Sequence, residues 1–290
     1  MVIDLSKHAK FRITGTDRLH YLNGQLTNDL RRLAPGYATY ACALTPKGKL
    51  AADLHVAVDT DAFWIDTTAF VRESLTIRLE HYIIADDVVI EDVTEDYSLF
   101  HFLDEVPPQV DGAIKIVNNR FRATGLDFWF PQSATEEHLF GVSVADSEQV
   151  ERLRIERGIP IWGAELSEEV IPAEAGLDDS AISFTKGCYL GQEVISRIKS
   201  IGHVNRHLRG LKLIKGISLC IGDQLFSSES PEQPLGRITS VSQSDKGSLL
   251  ALGYVRRGVD QPGTVLEVRR SDSSDLIGSV EVNSLPFTSV

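Results

Sequence analysis

Apolar residues recur at helical spacing in three segments of the chain. Leucines lie three or four positions apart from Leu19 to Leu30, behind the helix-start signal Gly-Thr-Asp at 15–17. Similar stripes cover 71–82 and 150–156. Side chains at this spacing share one face of a helix, so the pattern predicts three amphipathic helices.

Short apolar runs between these stripes predict β-strands. Two runs, 37–45 and 50–58, flank a Pro-Lys-Gly turn at 46–48 and predict a hairpin. After residue 204, short β-type runs follow one another with turn residues between them, which predicts a small all-β barrel or sandwich. We therefore expect one region at 1–204 and a second at 205–290. Single strands are predicted at 11–14, 63–67, 88–93, 99–103, 128–130 and 139–144.

The charge balance limits the kinds of partner. The chain has 290 residues, a formal net charge of −12 and 42% hydrophobic residues, which suits a globular protein of about two domains. A broad surface for nucleic acid needs clustered lysine and arginine, so the acidic balance argues against direct tRNA binding. One basic cluster, between Lys186 and Arg209, keeps a direct RNA-binding module open as a rival interpretation.

The three cysteines predict neither a disulfide framework nor a metal centre. Cys42, Cys188 and Cys220 form no C-x-x-C pair, so we expect no protein-bound metal. Cys42 and Cys220 have apolar neighbours, which is typical of buried thiols. The N-terminus has no signal-peptide pattern, and no apolar run is long enough to span a bilayer. We therefore expect a cytoplasmic protein without a membrane partner.

Residues 186–193, K-G-C-Y-L-G-Q-E, concentrate the candidate chemistry. Gly187 and Gly191 allow a ligand to approach the backbone closely. If Lys186 and Arg197 lie near Cys188 in space, they favour its thiolate, which is the reactive form of cysteine. The competing interpretation is a surface loop that leads into a helix, with Cys188 buried as a small apolar side chain.

Four sequence blocks carry a resemblance to a known family. They are I-T-G-T-D with Y-L-N-G-Q-L-T-N-D at 13–29, L-R-I-E-R-G-I-P at 153–160, P-A-E-A-G-L-D at 172–178 and the K-G-C-Y-L-G-Q-E block. In this order they resemble the YgfZ-type folate-binding proteins, which are associated with tRNA modification and have mitochondrial relatives in iron–sulfur assembly. The wider superfamily contains the T-protein of the glycine cleavage system, an aminomethyltransferase.

The resemblance implies a fold that residue spacing alone does not give. The T-protein-like architecture is α+β, with two interleaved subdomains, one of them ferredoxin-like, and a C-terminal β-barrel. Together these parts surround a central channel that holds folate, so the resemblance implies tetrahydrofolate or a derivative as the cofactor. The predicted change from mixed elements to short strands after residue 204 agrees with this architecture.

Glu156 matches the T-protein glutamate that binds the pterin ring. One carboxylate can accept hydrogen bonds from the amino group of the pterin and from the neighbouring ring N–H, and such bidentate contacts are strong. The resemblance therefore implies that Glu156 binds the cofactor. The alternative is that Glu156 lies on the solvated face of a charged helix.

The K-G-C-Y-L-G-Q-E block supplies further implied contacts to folate. Lys186 and Arg197 would bind the carboxylates of the folate tail, for which arginine has a matching fork of donors. Tyr189, Gln192 and Glu193 stand beside them as cofactor-binding candidates. For Gln192 and Glu193 the alternative is a place in the first turn of a helix, where the helix dipole stabilises them.

The aromatic side chain that stacks on the pterin is expected to differ from that of relatives. His8 and Val150 stand where relatives carry tryptophan, so another residue must provide the stacking surface. Tyr40 is the candidate that we assign to the cofactor site, with Tyr189 and Trp162 as further choices. Packing in the core is the competing role for each of these side chains.

Asp53 and Cys188 are the candidate catalytic residues. The T-protein has two adjacent acids in its Gly-x-x-x-Asp-Asp-Leu segment, whereas this chain has Ala52 before Asp53. We therefore expect no aminomethyltransferase activity of the T-protein kind. Asp53 is either the counterpart of the catalytic aspartate or an ordinary polar residue of the hairpin. The resemblance implies redox, metal-related or covalent chemistry for Cys188 near the folate.

Together these implications predict a folate-binding protein that supports the assembly or repair of iron–sulfur clusters. Its effect on tRNA modification would be indirect, through iron–sulfur enzymes. The expected partners are iron–sulfur client proteins or assembly factors, and the chain is expected to be a monomer. A folate-dependent one-carbon transferase and a direct tRNA-binding module are the two rival functions.

Overall fold

The computed structural model describes residues 1–105, 109–132, 143–216, 218–229, 232–273 and 275–287. The chain divides into two units and returns to the first one late: Met1–Asp146 and Leu177–Arg197 form the first unit, and Ser147–Gly176 and Ile198–Val290 form the second. The expected division after residue 204 stays a prediction. Most of the predicted strand 139–144 lies outside the described residues.

The first unit contains two antiparallel sheets. Their strands are β1 (Val2–Asp4), β2 (Ala9–Thr14), β3 (Ala38–Leu44), β4 (Leu50–Val58), β5 (Phe63–Thr67), β6 (Val89–Asp92), β7 (Tyr97–Phe102), β8 (Ile114–Asn118) and β9 (Gly125–Pro131). The larger sheet has the order β3-β4-β5-β2-β6, and the smaller one has the order β1-β7-β9-β8. The predicted hairpin is confirmed as β3 and β4, with Cys42 opposite Asp53.

The apolar pattern does not predict β1 and β8, which lie at the two edges of the smaller sheet. β1 has only three residues, and β8 buries only two of its five side chains. Neither segment therefore makes a recognisable apolar run. Each of these strands pairs with a longer and more buried strand. Val2 pairs with Phe102 on β7, and Ile116 pairs with Asp127 on β9.

Five helices complete the described chain: α1 (Arg18–Gln25), α2 (Arg72–His81), α3 (Ser147–Arg157), α4 (Asp178–Ala181) and α5 (Gln192–Ile201). The helices predicted at 71–82 and 150–156 are confirmed as α2 and α3. Leu75 and Leu79 of α2 are buried, as the spacing of the apolar stripe predicts.

The first helix ends earlier than its leucine pattern predicts. α1 stops at Gln25, and Leu30 begins a separate 3-10 turn. Leu26 has extended backbone angles, and the backbone N–H of Thr27 donates to the Cys42 carbonyl at 3.0 Å. The hydroxyl of Thr27 in turn accepts a hydrogen bond from the N–H of Cys42 at 2.8 Å. Pairing with β3 therefore replaces the last turn of the predicted helix.

Six strands close into a barrel in the second unit, which confirms the predicted all-β end of the chain. They are β10 (Arg206–Gly216), β11 (Gln224–Phe226), β12 (Gly236–Gln243), β13 (Leu249–Arg256), β14 (Val265–Arg269) and β15 (Leu276–Asn283). The order around the barrel is β10-β13-β12-β11-β14-β15. Alternate side chains such as Leu211, Ile238 and Val255 fill its core, and closure protects the strand edges.

A buried arginine joins the two sheets of the first unit. Arg120, between β8 and β9, donates to both carboxylate oxygens of Asp66 on β5 and to both of Asp127 on β9, at 2.5 to 2.9 Å. His8 Nδ1 lies 2.9 Å from Asp66, and His101 Nδ1 lies 2.6 Å from Asp127. Two buried carboxylates from different sheets therefore share one buried cation.

Arg120 keeps both carboxylates ionised inside the protein. Burial alone raises the pKa of a carboxyl group, but Arg120 and the neighbouring histidines outweigh burial here. The pKa of Asp66 is lowered, and that of Asp127 is lowered to about 2. A lowered folded-state pKa gives stability that is present above the pKa of the unfolded chain and is lost only as the pH falls through the folded value. The network therefore stabilises the first unit at neutral pH.

We predict that Arg120→Met lowers the free energy of unfolding by about 3–5 kcal/mol, because it leaves two buried carboxylates without their cation. The deficit should shrink as the pH falls, since carboxylates without a cation have raised pKa values and take up protons in the folded state. Denaturant unfolding at several pH values measures both effects. Arg12→Met, which breaks an exposed pair with Glu91, is the control, and an equal loss in both variants would contradict the prediction.

Candidate functional site

The hairpin of β3 and β4 places three polar side chains together. Tyr40 Oη donates to Asp53 Oδ2 at 2.9 Å, and the ring centroids of Tyr40 and His55 are 4.8 Å apart. Tyr40 lies opposite His55 in the strand register, and Asp53 precedes His55 by two residues on the same face. All three are half-buried. We call these three residues the hairpin cluster.

Burial sets the protonation of the hairpin cluster. It lowers the pKa of His55 to about 3, so the imidazole is neutral at neutral pH. It also raises the pKa of Asp53, although the hydrogen bond from Tyr40 opposes the shift. His55 Nδ1 is buried and has no hydrogen-bond partner among the described residues. The cluster therefore combines a half-buried carboxyl group with a buried ring nitrogen that lacks a hydrogen-bond partner among the described residues.

Side chains alternate between the two faces of β4, so positions 52 and 53 face opposite sides of the sheet. Ala52 points away from the hairpin cluster and is fully buried, whereas Asp53 lies within the cluster. Neighbouring residues of a strand face opposite sides, so an acid at position 52 would lie in the core. His55 is absent from the sequence-based candidates. Its position two residues after Asp53 on a predicted strand is the signal that would have found it.

Lys186 attaches the K-G-C-Y-L-G-Q-E loop to the end of α1 and to the segment that follows it. Its ammonium group donates to the carbonyl oxygens of Asn23, Leu26 and Asn28, each at 2.7 Å. Lys186 is 6% exposed, and burial lowers its pKa to about 8 against the opposing effect of Asp29. The three carbonyls use all three N–H bonds of the ammonium group. Lys186 thus holds the loop, and its predicted contact with folate stays a prediction.

Backbone contacts reinforce the attachment between the two sequence blocks. The N–H of Leu190 donates to the Gly24 carbonyl at 3.1 Å, and that of Ser183 donates to the Thr27 carbonyl at 3.0 Å. The hydroxyl of Thr27 donates to the Ala181 carbonyl at 2.6 Å. The blocks at 21–29 and 186–193 therefore form one substructure of the first unit, although they are far apart in the sequence.

The two glycines of the loop have different roles. Gly191 has a φ of +85°, and a Cβ atom there would lie 2.6 Å from the Thr45 carbonyl oxygen, so only glycine fits this position. Gly187 has open space where a Cβ would be. Tyr189 is buried, and the Lys186 ammonium lies 5.3 Å from its ring centroid. Gly191 and Tyr189 therefore pack the loop, while the backbone at Gly187 stays open to a ligand.

The cysteines only partly follow the sequence-based expectation. Cys188 is exposed and Cys42 is buried, as expected. The prediction that Cys220 is buried is wrong, because Cys220 is exposed. Its apolar neighbours suggested a buried thiol, but Cys220 lies in the turn region before β11, where its N–H donates to the Asp223 carboxylate at 2.7 Å. The neighbouring Ile221 is 70% exposed as well.

Gln192 and Glu193 begin α5, as the alternative interpretation predicts. Glu193 pairs with Arg197 one turn later, with 2.7 Å between the carboxylate oxygen and the guanidinium nitrogen. Both side chains are largely exposed, and such pairs contribute only about 0.3–0.5 kcal/mol. Their predicted contacts with folate are neither supported nor opposed by this geometry.

Glu156 lies on α3 in the second unit. Its side chain is half-buried and forms no hydrogen bond or ion pair with the residues that the structure describes. Burial and the nearby Asp245 raise the pKa of Glu156. The neighbouring Arg154 is buried and anchors the helix through Glu165, at 3.2 Å, and through the Ile159 carbonyl. The L-R-I-E-R-G-I-P block thus combines an anchoring arginine with an unpaired carboxylate.

The candidates fall into two groups. The hairpin cluster and the K-G-C-Y-L-G-Q-E loop belong to the first unit, and Glu156 belongs to the second. Among the described residues, no group of histidine, cysteine, aspartate and glutamate side chains is arranged to hold a metal ion. Over the same residues, no helix is both long and apolar enough to cross a membrane.

Comparison with known proteins assigns the chain to a family. The family model of the GCVT N-terminal domain matches residues 1–103. The tRNA-modifying protein YgfZ of Escherichia fergusonii is 30% identical over 235 residues, which cover 71% of this chain and 70% of that protein. The chain belongs to the YgfZ family.

Two further comparisons describe the relatives of this YgfZ-family chain. The mitochondrial iron-sulfur cluster assembly factor IBA57 homolog of Dictyostelium discoideum is 25% identical over 254 residues, covering 71% of this chain and 61% of that protein. The crystal structure of glycine cleavage system aminomethyltransferase T from Bartonella henselae matches with a TM-score of 0.86, at 18% identity, over 99% of this chain and 86% of that one. The predicted T-protein-like α+β fold with a C-terminal barrel is confirmed.

We predict that Lys186→Met lowers the free energy of unfolding by roughly 2–4 kcal/mol, because three carbonyl groups lose their common donor. Methionine keeps a similar length of apolar side chain, so packing is largely preserved. Denaturant unfolding measures the loss, with the exposed Lys47→Met as control. An unchanged midpoint for Lys186→Met would show that the loop does not depend on this ammonium group.

Proposed function

We propose that this YgfZ-family protein binds tetrahydrofolate or a derivative and supports the assembly or repair of iron–sulfur clusters. Through iron–sulfur enzymes it would also support tRNA modification. Family membership and the names of the relatives support the cellular role. The observation that carries the folate proposal is the half-buried, unpaired carboxylate of Glu156 in the block shared with the T-protein.

The donor and acceptor groups of the chain fit a pterin. Glu156 has both oxygens available to accept from adjacent N–H groups, and a ligand that donates to both would offset the cost of its burial. Tyr40 and Asp53 of the hairpin cluster are also proposed contacts to the cofactor. When bound, a reduced folate supplies the capacity to carry a one-carbon unit. Tyr189, Gln192, Glu193 and Arg197 remain proposed contacts.

The proposed partners are iron–sulfur client proteins or assembly factors. The net charge of −12 fits a protein that acts on tRNA indirectly rather than by binding its phosphates. Cys188 is the residue that we propose for the cluster-related chemistry, because its thiol is exposed beside the open backbone of Gly187. We propose that the protein acts as a monomer.

We predict that Glu156→Gln weakens tetrahydrofolate binding by about 1–3 kcal/mol, because it replaces one acceptor oxygen by a donor and removes the charge. Calorimetric titration of the folded variant measures the change. Glu148→Gln, an exposed acid at the start of the same helix, makes the same chemical change and should keep the affinity of the wild type. Equal affinity in all three proteins would remove Glu156 from the proposed site.

We predict that Cys188→Ala folds normally but fails to restore the activity of iron–sulfur enzymes in cells that lack the endogenous protein. Cys220→Ala is a matched control, because Cys220 is also an exposed thiol but lies on the barrel. Only the loss of Cys188 should matter if the thiol beside Gly187 takes part in the function. Full restoration of enzyme activity by both variants would contradict the prediction, because the function would then not need the Cys188 thiol.

A folate-dependent one-carbon transferase is the second candidate. It is favoured by one observation: Asp53 lies within the hairpin cluster, on the face opposite to that of Ala52. We still predict no methylene-tetrahydrofolate from an aminomethylated lipoyl carrier, because the chain has one acid where the T-protein has two. A product-formation assay against a genuine T-protein tests this. A comparable rate, abolished by Asp53→Asn, would instead make Asp53 the catalytic acid.

A further inference from the structure

An open pocket of about 870 Å³ lies on the barrel of the second unit. Its walls come from β10, β11, β12 and β13, from the residues beside them and from the 3-10 turn at Pro172–Ala175. Four arginines and a single glutamate carry the charge of its lining, so the pocket is strongly basic although the whole chain is acidic. These charged residues, the arginine pocket, are Glu174, Arg206, Arg237, Arg256 and Arg257.

The strand register concentrates these charges on the outer face of the barrel. Arg206 on β10 lies directly opposite Arg256 on β13, and Arg237 on β12 lies opposite Tyr254. Tyr254 and Arg256 are two residues apart and share a face, while Val255 between them points into the core. Like charges directly opposite one another destabilise a sheet. The fold therefore tolerates an unfavourable pair at this position.

Among the described residues, one of the four guanidinium groups has an acidic partner. Arg206 pairs with Glu174 at 3.1 Å and lies over the ring of Tyr254, 4.4 Å from its centroid. The other three arginine side chains are exposed and form no hydrogen bond or ion pair with any part of the chain that the structure describes. The pocket is therefore lined by three guanidinium groups for which the described residues provide no acidic partner.

We propose that the arginine pocket binds a small ligand that carries two or more phosphate or carboxylate groups. Guanidinium groups form paired hydrogen bonds with both kinds of oxyanion. The volume lies within the range of about 300–1,000 Å³ that is typical of small-ligand sites. An RNA backbone would instead need an extended basic surface, which the acidic chain disfavours. The lining of this pocket includes none of the residues proposed above as contacts to folate, and it does not include Cys188.

Calorimetric titration of the whole protein at low salt tests the proposal with two probes, inorganic tripolyphosphate and the tripeptide tri-γ-glutamate. At least one should bind the wild type, and Arg256→Gln/Arg257→Gln should weaken that binding by roughly tenfold or more. Lys212→Gln/Lys215→Gln removes the same charge from exposed positions on β10. It should change the affinity by no more than about twofold, because it alters only the general field. Thermal unfolding checks that both variants are folded.

The outcomes separate the ligand classes. Binding of tripolyphosphate alone would identify a phosphorylated ligand, and binding of tri-γ-glutamate alone a polycarboxylate; both results support the site. Equal weakening by the arginine and lysine variants would overturn it, because the effect would then be general electrostatics. The proposal also fails if neither anion binds the wild type. If neither binds while a tRNA transcript binds through Arg256 and Arg257, the surface recognises RNA instead.

Discussion

The first unit depends on the sharing of one buried cation by two carboxylates. Arg120 has five N–H donors in a fixed plane, so its bonds to Asp66 and Asp127 fix the positions of β5 and β9 together. The consequence reaches the hairpin cluster, because His55 pairs with Asp66 across β4 and β5. After burial, the charge of Arg120 is the next cause that lowers the pKa of His55. The charge of a structural ion pair thus adds to the effect of burial in keeping His55 neutral.

Lys186 is a second buried cation with its charge satisfied inside the first unit, and it holds the K-G-C-Y-L-G-Q-E loop. Its buried ammonium group is satisfied by backbone carbonyls rather than by a carboxylate. Carbonyl partners fix a position without placing a negative side chain beside Cys188. They also make the path of the chain after α1 a requirement for the K-G-C-Y-L-G-Q-E loop. Two blocks that are far apart in the sequence therefore form one piece of structure.

The local pattern of apolar and turn residues predicts much of this fold. The features that it does not predict depend on contacts between residues that are far apart in the sequence. The hairpin of β3 and β4 follows from alternation around a Pro-Lys-Gly turn, and the barrel follows from repeated short runs. The end of α1 depends on pairing with β3, which a helical stripe does not encode. The partners of Arg120 and Lys186 are likewise set by tertiary contacts. In the candidate site, the resemblance to the T-protein segment identifies Asp53. His55 can be identified only when it is known that both residues lie on the same face of β4.

The order of the chain through the two units has a consequence for protein synthesis. Domains generally fold from the N-terminus as the ribosome releases them, but the first unit contains Leu177–Arg197. Until that segment emerges, the carbonyl groups that Lys186 will satisfy have only water as a partner. The first unit cannot be completed before the beginning of the second has been made. The nascent chain therefore carries a first unit without its K-G-C-Y-L-G-Q-E loop while residues 147–176 are made, and chaperones have access to the uncovered surface during that period.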